Sequence, residues 1–280
     1  MISTVVICGA GTMGSGIAET CARGGFHTLL YDLDPVKVER ALQQVHLNLD
    51  NLASKGKLTE AEASACMDRL HGVSDLYDCI GDLVIEAIIE QEEAKWALFN
   101  QLAEINHSDT IFATNTSSLS VSRIASRVMH PERVCGLHFF NPAPLMKLVE
   151  VVQAAQTRAD IIPRLTEFCR QLGKAPVVCK DAPGFIVNRV ARHYYLEPLR
   201  LVEQGHATME QIDRLMEAAG FRMGPFKLMD LIGNDINYAV TESLYESCGQ
   251  PERLRPSAIQ AAKVSSGKLG RKTGEGFYTY

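Results

Sequence analysis

Residues Thr4 to Asp32 read TVVICGAGTMGSGIAETCARGGFHTLLYD, and this stretch limits the folds open to the chain more than any other. A β-branched apolar run, Thr4 to Ile7, predicts a buried strand. Gly9, Gly11 and Gly14 follow at G-x-G-x-x-G spacing, and Ser15 to Arg23 predicts a helix. A second apolar run, Thr28 to Tyr31, ends at Asp32. In such a unit the first glycine allows the tight turn, the second lets a pyrophosphate approach the backbone, and the third lets the helix pack against the sheet. The helix N-terminus offers N–H groups and a positive dipole end to phosphates. The loop of Gly9, Ala10, Gly11, Thr12, Met13 and Gly14 is therefore a candidate dinucleotide site. Asp32 can accept both hydroxyls of a ribose and would repel a 2′-phosphate, which favours NAD over NADP. The competing reading is a glycine-rich turn that holds no nucleotide.

The chain has 280 residues, enough for one large domain or two ordinary ones. Its 46% hydrophobic and 22% charged residues are those of a soluble globular protein. A formal net charge of −5 with no basic cluster argues against nucleic acid or an anionic membrane as partner. The eight cysteines form no C-x-x-C pair and sit mostly in apolar runs. They read as reduced, buried thiols in a cytoplasmic protein, and no metal site is expected. The first apolar run is too short for a signal peptide, and no segment approaches a membrane span.

Beyond Asp32 an amphipathic stretch, Pro35 to Ser54, is broken at Lys55-Gly56-Lys57. Thr59 and Glu62 then form a capping box that opens a helix to about Leu70. This helical hairpin interrupts the strand–helix alternation, as a substrate arm or as a solvated helix pair. Strands are predicted over Asp82 to Ile89, Thr110 to Thr114, Val134 to Phe140, Leu148 to Val152 and Ala175 to Cys179, with helices Glu92 to Glu104, Ser120 to Ser126 and Arg158 to Leu172 between them. That alternation means an α/β, Rossmann-like, doubly wound parallel sheet. From Gly184 the pattern is helical: Gly184 to Glu203, Met209 to Ala219, Pro225 to Cys248 and Ser257 to Ser265. The expected division is a nucleotide-binding domain over 1–183 and an all-α domain over 184–280. The first of these helices is apolar on more than one side, which favours burial in a homodimer.

Four polar residues sit where strands end or just across the boundary: Ser117 in NTSS, His138 in GLHFFNPAP, Glu150 in KLVEV and Asn188 in PGFIVNR. Ligands of open α/β sheets bind outside the carboxyl ends of the strands. If two strands reverse symmetrically about Pro144, His138 and Glu150 become cross-strand neighbours among apolar residues. A carboxylate beside an imidazole in a dry setting favours the charged ring and fixes its tautomer, as a general base for a hydroxyl proton requires. A satisfied core histidine is the alternative. Ser117 and Asn188 could hold the oxygen on which charge develops, or be an N-cap and a helix-surface residue.

GAGTMG, VIEA, TNTSSL, HFFNPAPLMKLVEV, KDAPGFIVNR, MGPF and the terminal GRKTGEGFY together resemble the L-3-hydroxyacyl-CoA dehydrogenases, whose short bacterial members are 3-hydroxybutyryl-CoA dehydrogenases. The resemblance spans nearly the whole chain. It implies reversible NAD-dependent oxidation of an L-3-hydroxyacyl-CoA to the 3-ketoacyl-CoA, with a catalytic His138–Glu150 pair and with Ser117 and Asn188 on the substrate oxygen. It implies NAD contacts from the Gly9–Gly14 loop, Asp32, Glu90, Lys95, Asn115, Ser117, Asn141 and Lys272. It also implies CoA contacts from the hairpin, where Lys55 and Lys57 suit anionic phosphates. Lys227 departs from the glutamate usual in the family, and a cation is locally worse near a helix start. Acyl-chain length stays open. So do a relative acting on a free hydroxy acid such as L-gulonate and a non-catalytic NAD-binding protein.

Overall fold

A computed structural model describes residues 2–280. The chain forms two compact units, one running to Ala182 and the other spanning Pro183–Tyr280.

The first unit begins with β1 (Thr4–Cys8), α1 (Thr12–Arg23), β2 (His27–Tyr31), α2 (Pro35–Ser54), α3 (Glu60–Met67) and β3 (Leu70–Val73). It continues with β4 (Leu83–Glu86), α4 (Glu92–Ile105), β5 (Ile111–Thr114), α5 (Val121–Ala125), β6 (Val134–Phe139), β7 (Leu148–Gln153), α6 (Ile161–Gln171) and β8 (Ala175–Lys180). The strands make one 8-stranded sheet in the order β3-β2-β1-β4-β5-β6-β7-β8. The strand order reverses its progression between β1 and β4, which run parallel, and this is the switch point at which such sheets bind ligands.

β4 and β5 are buried along their whole length, as central strands covered on both faces must be. On one face Val5, Ile7, Ile85, Ala113 and Leu137 join Ile17 and Ala18 of α1 and Leu165 and Phe168 of α6 in a continuous core. Strand alternation turns Phe112 to the other face, where its ring lies 5.5 Å from Phe99 of α4. Both rings are fully buried, and each contributes roughly 1.5–3 kcal/mol by leaving water.

The last two strands turn back on the parallel sheet, as a reversal about Pro144 implies. β7 runs antiparallel to β6, and β8 is parallel to β7. A short loop can join antiparallel neighbours, whereas a parallel return needs a long crossover. One departure is β3, a strand that was not expected, which begins where the helix opened by Thr59 was expected to end. The capping box forms with both bonds in place, but α3 stops at Met67 and Leu70–Val73 pairs with β2. Gly72 allows this: a Cβ there would stand 2.7 Å from Val38 of α2.

The second unit contains α7 (Val187–Glu203), α8 (Met209–Ala218), α9 (Pro225–Ile232), α10 (Asn234–Ser247) and α11 (Ala258–Ser265). Its core gathers Tyr195, Leu199, Ile212, Phe226 and Met229. Two expectations are corrected here. Gly184 and Phe185 have φ of +69° and +48°, so the first helix begins at Val187. The stretch Pro225 to Cys248 is two helices broken at Gly233, where φ is +104°. Lys227 is no burden at the start of α9. The buried Asp213 carboxylate accepts from the N–H groups of Phe226 (2.9 Å) and Lys227 (3.1 Å), and the Lys227 ammonium pairs with Glu217 at 2.8 Å.

The cysteines are free thiols, with Cys179 and Cys248 half-buried and the rest buried. Among the described residues, no helix is long and apolar enough to cross a membrane and no acid–His–Cys cluster could hold a metal ion.

Candidate active site

The glycine turn carries different constraints at each position. Gly9 has φ of +107°, and a Cβ there would stand 2.5 Å from the Ala87 carbonyl oxygen. A Cβ on Gly14 would stand 1.7 Å from the Gly9 carbonyl oxygen, so α1 packs on the turn through a bare Cα. At Gly11 a Cβ would meet no atom within 4 Å. The fold itself does not require glycine there, whereas close approach of a pyrophosphate does. Asp32, just past β2, accepts from the Ala10 N–H at 2.8 Å and the Asp34 N–H at 3.0 Å. It therefore shapes the loop, and each carboxylate oxygen retains acceptor capacity for a ribose hydroxyl.

At the carboxyl end of β6 the register pairs Gly136 with Val152, Leu137 with Val151, His138 with Glu150 and Phe139 with Val149. The reversal is symmetrical about Pro144. His138 Nδ1 lies 2.8 Å from a Glu150 carboxylate oxygen. Glu150 is 1% exposed and His138 6%. Gly136 makes the close approach of the two strands possible, since a Cβ there would stand 2.7 Å from that of Val152. With Glu150 ionised, Nδ1 carries the proton and donates, which puts the imidazole lone pair on Nε2. The Phe140 ring, 4.5 Å from the imidazole, adds an apolar wall.

Between the glycine turn and this pair lies a buried polar network. Lys95 of α4, 1% exposed, sets its ammonium 2.6 Å from Glu86 and 3.1 Å from Glu90. Glu86, at the end of β4, also accepts from the Ile88 N–H at 2.8 Å and the Thr114 hydroxyl at 2.7 Å. Burial pushes the Glu86 carboxyl up, although Lys95 and these donors oppose it. For Glu90 burial acts the same way but is outweighed by Lys95 and by the Thr116 and Ser118 hydroxyls, so its carboxyl lies below the usual range. One Glu90 oxygen accepts from the Thr116 hydroxyl (2.5 Å), the Ser118 hydroxyl (3.0 Å) and the Ser117 N–H (3.3 Å). Glu90 thus holds the loop that carries Ser117. Asn115 accepts from the Phe139 N–H at 2.8 Å and ties this loop to the strand of His138.

Asn141 lines a cleft of about 380 Å³ together with Thr12, Pro144, Leu145, Lys55 and Lys57. The hairpin turn thus faces the start of α1 and the loop after β6. Gly16 lets that loop close on α1, since a Cβ there would stand 3.2 Å from Pro144. Of the remaining predicted residues, Asn188 is the second residue of α7 rather than one turn into a helix. Lys272 lies in a short 3-10 turn, its ammonium 2.6 and 2.7 Å from the Asp235 carboxylate oxygens. Both belong to the helical unit.

Glu86, Thr116 and Asp235 were not singled out from the sequence. An acid ending the apolar run Leu83–Glu86 was the available signal for Glu86, because a buried carboxylate demands partners. Nothing in the sequence near Asp235 marks its pairing with Lys272, 37 residues on.

Residues 4–182 match the family model of the 3-hydroxyacyl-CoA dehydrogenase NAD-binding domain, and residues 184–280 match that of the C-terminal domain. The chain is 47% identical over its whole length to a 3-hydroxyadipyl-CoA dehydrogenase of Escherichia coli K12, of which it spans 59%. It is 39% identical to the mitochondrial hydroxyacyl-coenzyme A dehydrogenase of Rattus norvegicus, spanning 92% of it. Among solved structures, a 3-hydroxybutyryl-CoA dehydrogenase of E. coli K12 superposes with a TM-score of 0.98 at 47% identity, matched over all of this chain and 60% of that one. A (S)-3-hydroxybutyryl-CoA dehydrogenase of Ralstonia eutropha superposes with a TM-score of 0.96 at 38% identity, over 100% of this chain and 99% of that one. With both halves matched by the models of one family and full-length relatives well above 30% identity, the chain belongs to the 3-hydroxyacyl-CoA dehydrogenase family.

Proposed function

We propose that the chain is an NAD-dependent dehydrogenase that reversibly oxidises an L-3-hydroxyacyl-CoA, short-chain or dicarboxylic, to the 3-ketoacyl-CoA. The observation that carries this is the 2.8 Å contact of His138 Nδ1 with the buried Glu150, on a sheet whose glycine turn accepts a dinucleotide. The residues fit NAD: Gly11 is needed by no contact within the fold, and Asp32 lies at the end of β2. Gly9, Ala10, Gly11, Thr12, Met13 and Gly14 would hold the pyrophosphate, with Asp32, Glu90, Lys95, Asn115, Ser117, Asn141 and Lys272 as further contacts. NAD, when bound, supplies the acceptor for the hydride leaving C3.

The rest is the chain's own work. His138 Nε2 takes the hydroxyl proton in oxidation and returns it to the ketone in reduction. Glu150 keeps the lone pair on Nε2 and stabilises the imidazolium that forms. Ser117 and Asn188 hydrogen-bond the substrate oxygen as its charge changes. Lys55 and Lys57, lining the cleft beside Asn141, take the phosphates of the CoA. The helical unit, 184–280 by the sequence reading, serves the acyl group and pairs two copies in a cytoplasmic homodimer. The exposed Val190, Leu215, Phe221 and Ile236 support that pairing.

NADH oxidation with acetoacetyl-CoA tests the reaction, and free acetoacetate tests the requirement for CoA. Turnover of the thioester and not the free acid is expected. His138→Gln should retain NADH affinity while kcat falls about 10²–10⁴-fold, the usual reach of general acid–base catalysis. Turnover surviving in that variant overturns the assignment of the base.

A further inference from the structure

A second cleft, of about 420 Å³, adjoins the one beside Lys55 and Lys57, and Arg23 and Pro144 line both. Its cations are Arg23 at the end of α1, Arg69 just before β3 and Lys174 just before β8. The backbone sets them there from three elements far apart in sequence. Arg69 Nη1 donates to the Ala22 carbonyl at 3.4 Å. Lys174 Nζ donates to the carbonyls of Ala143 (2.6 Å) and Met146 (2.9 Å). Carbonyl partners orient these groups without neutralising them. Burial, and to a lesser degree Arg23, pushes the Lys174 ammonium down. Arg23 has a long pairing with Glu19 at 3.5 Å. The one carboxylate among the lining residues, Glu62, accepts from the N–H and hydroxyl of Thr59 through one oxygen, at 2.8 and 2.9 Å, and stands against three cations.

We infer that Arg23, Arg69 and Lys174 form a phosphate subsite that takes the 3′-phosphate of the CoA nucleotide. This rests on the acyl-CoA reading above and extends it to the far end of the ligand. The first cleft reaches from Thr12 and Asn141, on the side of the glycine turn and the loop after β6, to Arg23. α1, with 12 residues, is about 18 Å long. An extended pantetheine arm can lie along it, with the thioester at the Thr12 end and the nucleotide at the Arg23 end. Lys55 and Lys57 then meet the pyrophosphate midway. Two guanidinium groups and an ammonium match a dianionic phosphate in charge and in donor geometry.

The test compares kcat/KM for acetoacetyl-CoA and acetoacetyl-3′-dephospho-CoA in the wild type, Arg69→Gln and Arg69→Glu. The wild type should prefer the 3′-phosphorylated substrate by about 10-fold or more, Arg69→Gln should bring the ratio near 1, and Arg69→Glu should invert it. Adenosine 3′,5′-bisphosphate should inhibit competitively against acetoacetyl-CoA, with Ki raised about 10-fold in Arg69→Gln. A ratio unchanged by both variants, or already near 1 in the wild type, overturns the subsite. Inorganic phosphate binding lost in Arg69→Gln without any change in the ratio also overturns it, in favour of a free-anion site. Inactivity of the wild type on both thioesters would instead overturn the dehydrogenase reading, so the two failures are distinguishable.

Discussion

Replacing Glu150 by glutamine removes a charge at nearly constant shape and turns one carboxylate oxygen into an amide donor. The side chains are isosteric, the site is 1% exposed, and an amide oxygen can still accept from His138 Nδ1. What is lost is the field that favours an imidazolium. With Nδ1 and the carboxylate oxygen 2.8 Å apart, the two charge centres are roughly 4 Å apart, and at an effective dielectric of about 20 their attraction is about 4 kcal/mol. Proton transfer is partial in the transition state, so about half to all of that is at stake. At about 1.4 kcal/mol per decade this is a fall in kcat of about 30- to 10³-fold. Glu150→Gln should leave Tm nearly unchanged, because it removes a buried charge while the ground-state imidazole keeps its hydrogen bond. Stopped-flow NADH oxidation with saturating acetoacetyl-CoA measures the step, and NADH fluorescence titration checks that the cofactor site is intact. A kcat within threefold of wild type, at unchanged NADH affinity, would refute the idea that Glu150 supports the base electrostatically.

Three further predictions come from the first unit. Gly11→Ala should leave thermal stability intact while NADH affinity drops about 10-fold or more, since its methyl group meets no protein atom. Gly14→Ala should instead cost about 3 kcal/mol or more in urea denaturation, because its Cβ would fall 1.7 Å from a backbone oxygen. Lys95→Met should cost about 3–5 kcal/mol by leaving Glu86 buried without its counter-ion. The Glu86 carboxyl is already raised in the wild type, and losing Lys95 raises it further. A raised folded-state pKa means that the native state binds the proton more tightly than the unfolded chain does. The deficit relative to the wild type should therefore grow as pH rises through the window between the wild type's raised Glu86 value and the still higher value in the variant, and be smaller below it. Chemical denaturation at pH 5 and pH 8 reads the difference, and a larger deficit at pH 5 would contradict it.

The nucleotide half of the fold was legible because its signals are local. A strand, three glycines at fixed spacing, a helix and an acid on the next strand are all set by neighbours in sequence. The His138–Glu150 register was also readable, since a tight reversal about Pro144 leaves few alternatives. What local pattern could not supply was anything depending on distant partners. β3 exists because β2 offers an edge, and LHGV by itself has too little apolar periodicity to declare a strand. The break at Gly233 follows from a positive φ that Gly adopts freely but does not announce within an apolar run.

By itself, then, the sequence determined which residue types were present for the chemistry and which strand ends would carry them, because periodicity and turn chemistry act over a few residues. Tertiary structure alone decided how the charges are paired. Lys95 lies between Glu86 and Glu90, Asp213 caps a helix start 13 residues away, and Arg23, Arg69 and Lys174 converge from three separate elements. Charge pairing acts through space with no sequence period, so only the packed chain reveals it.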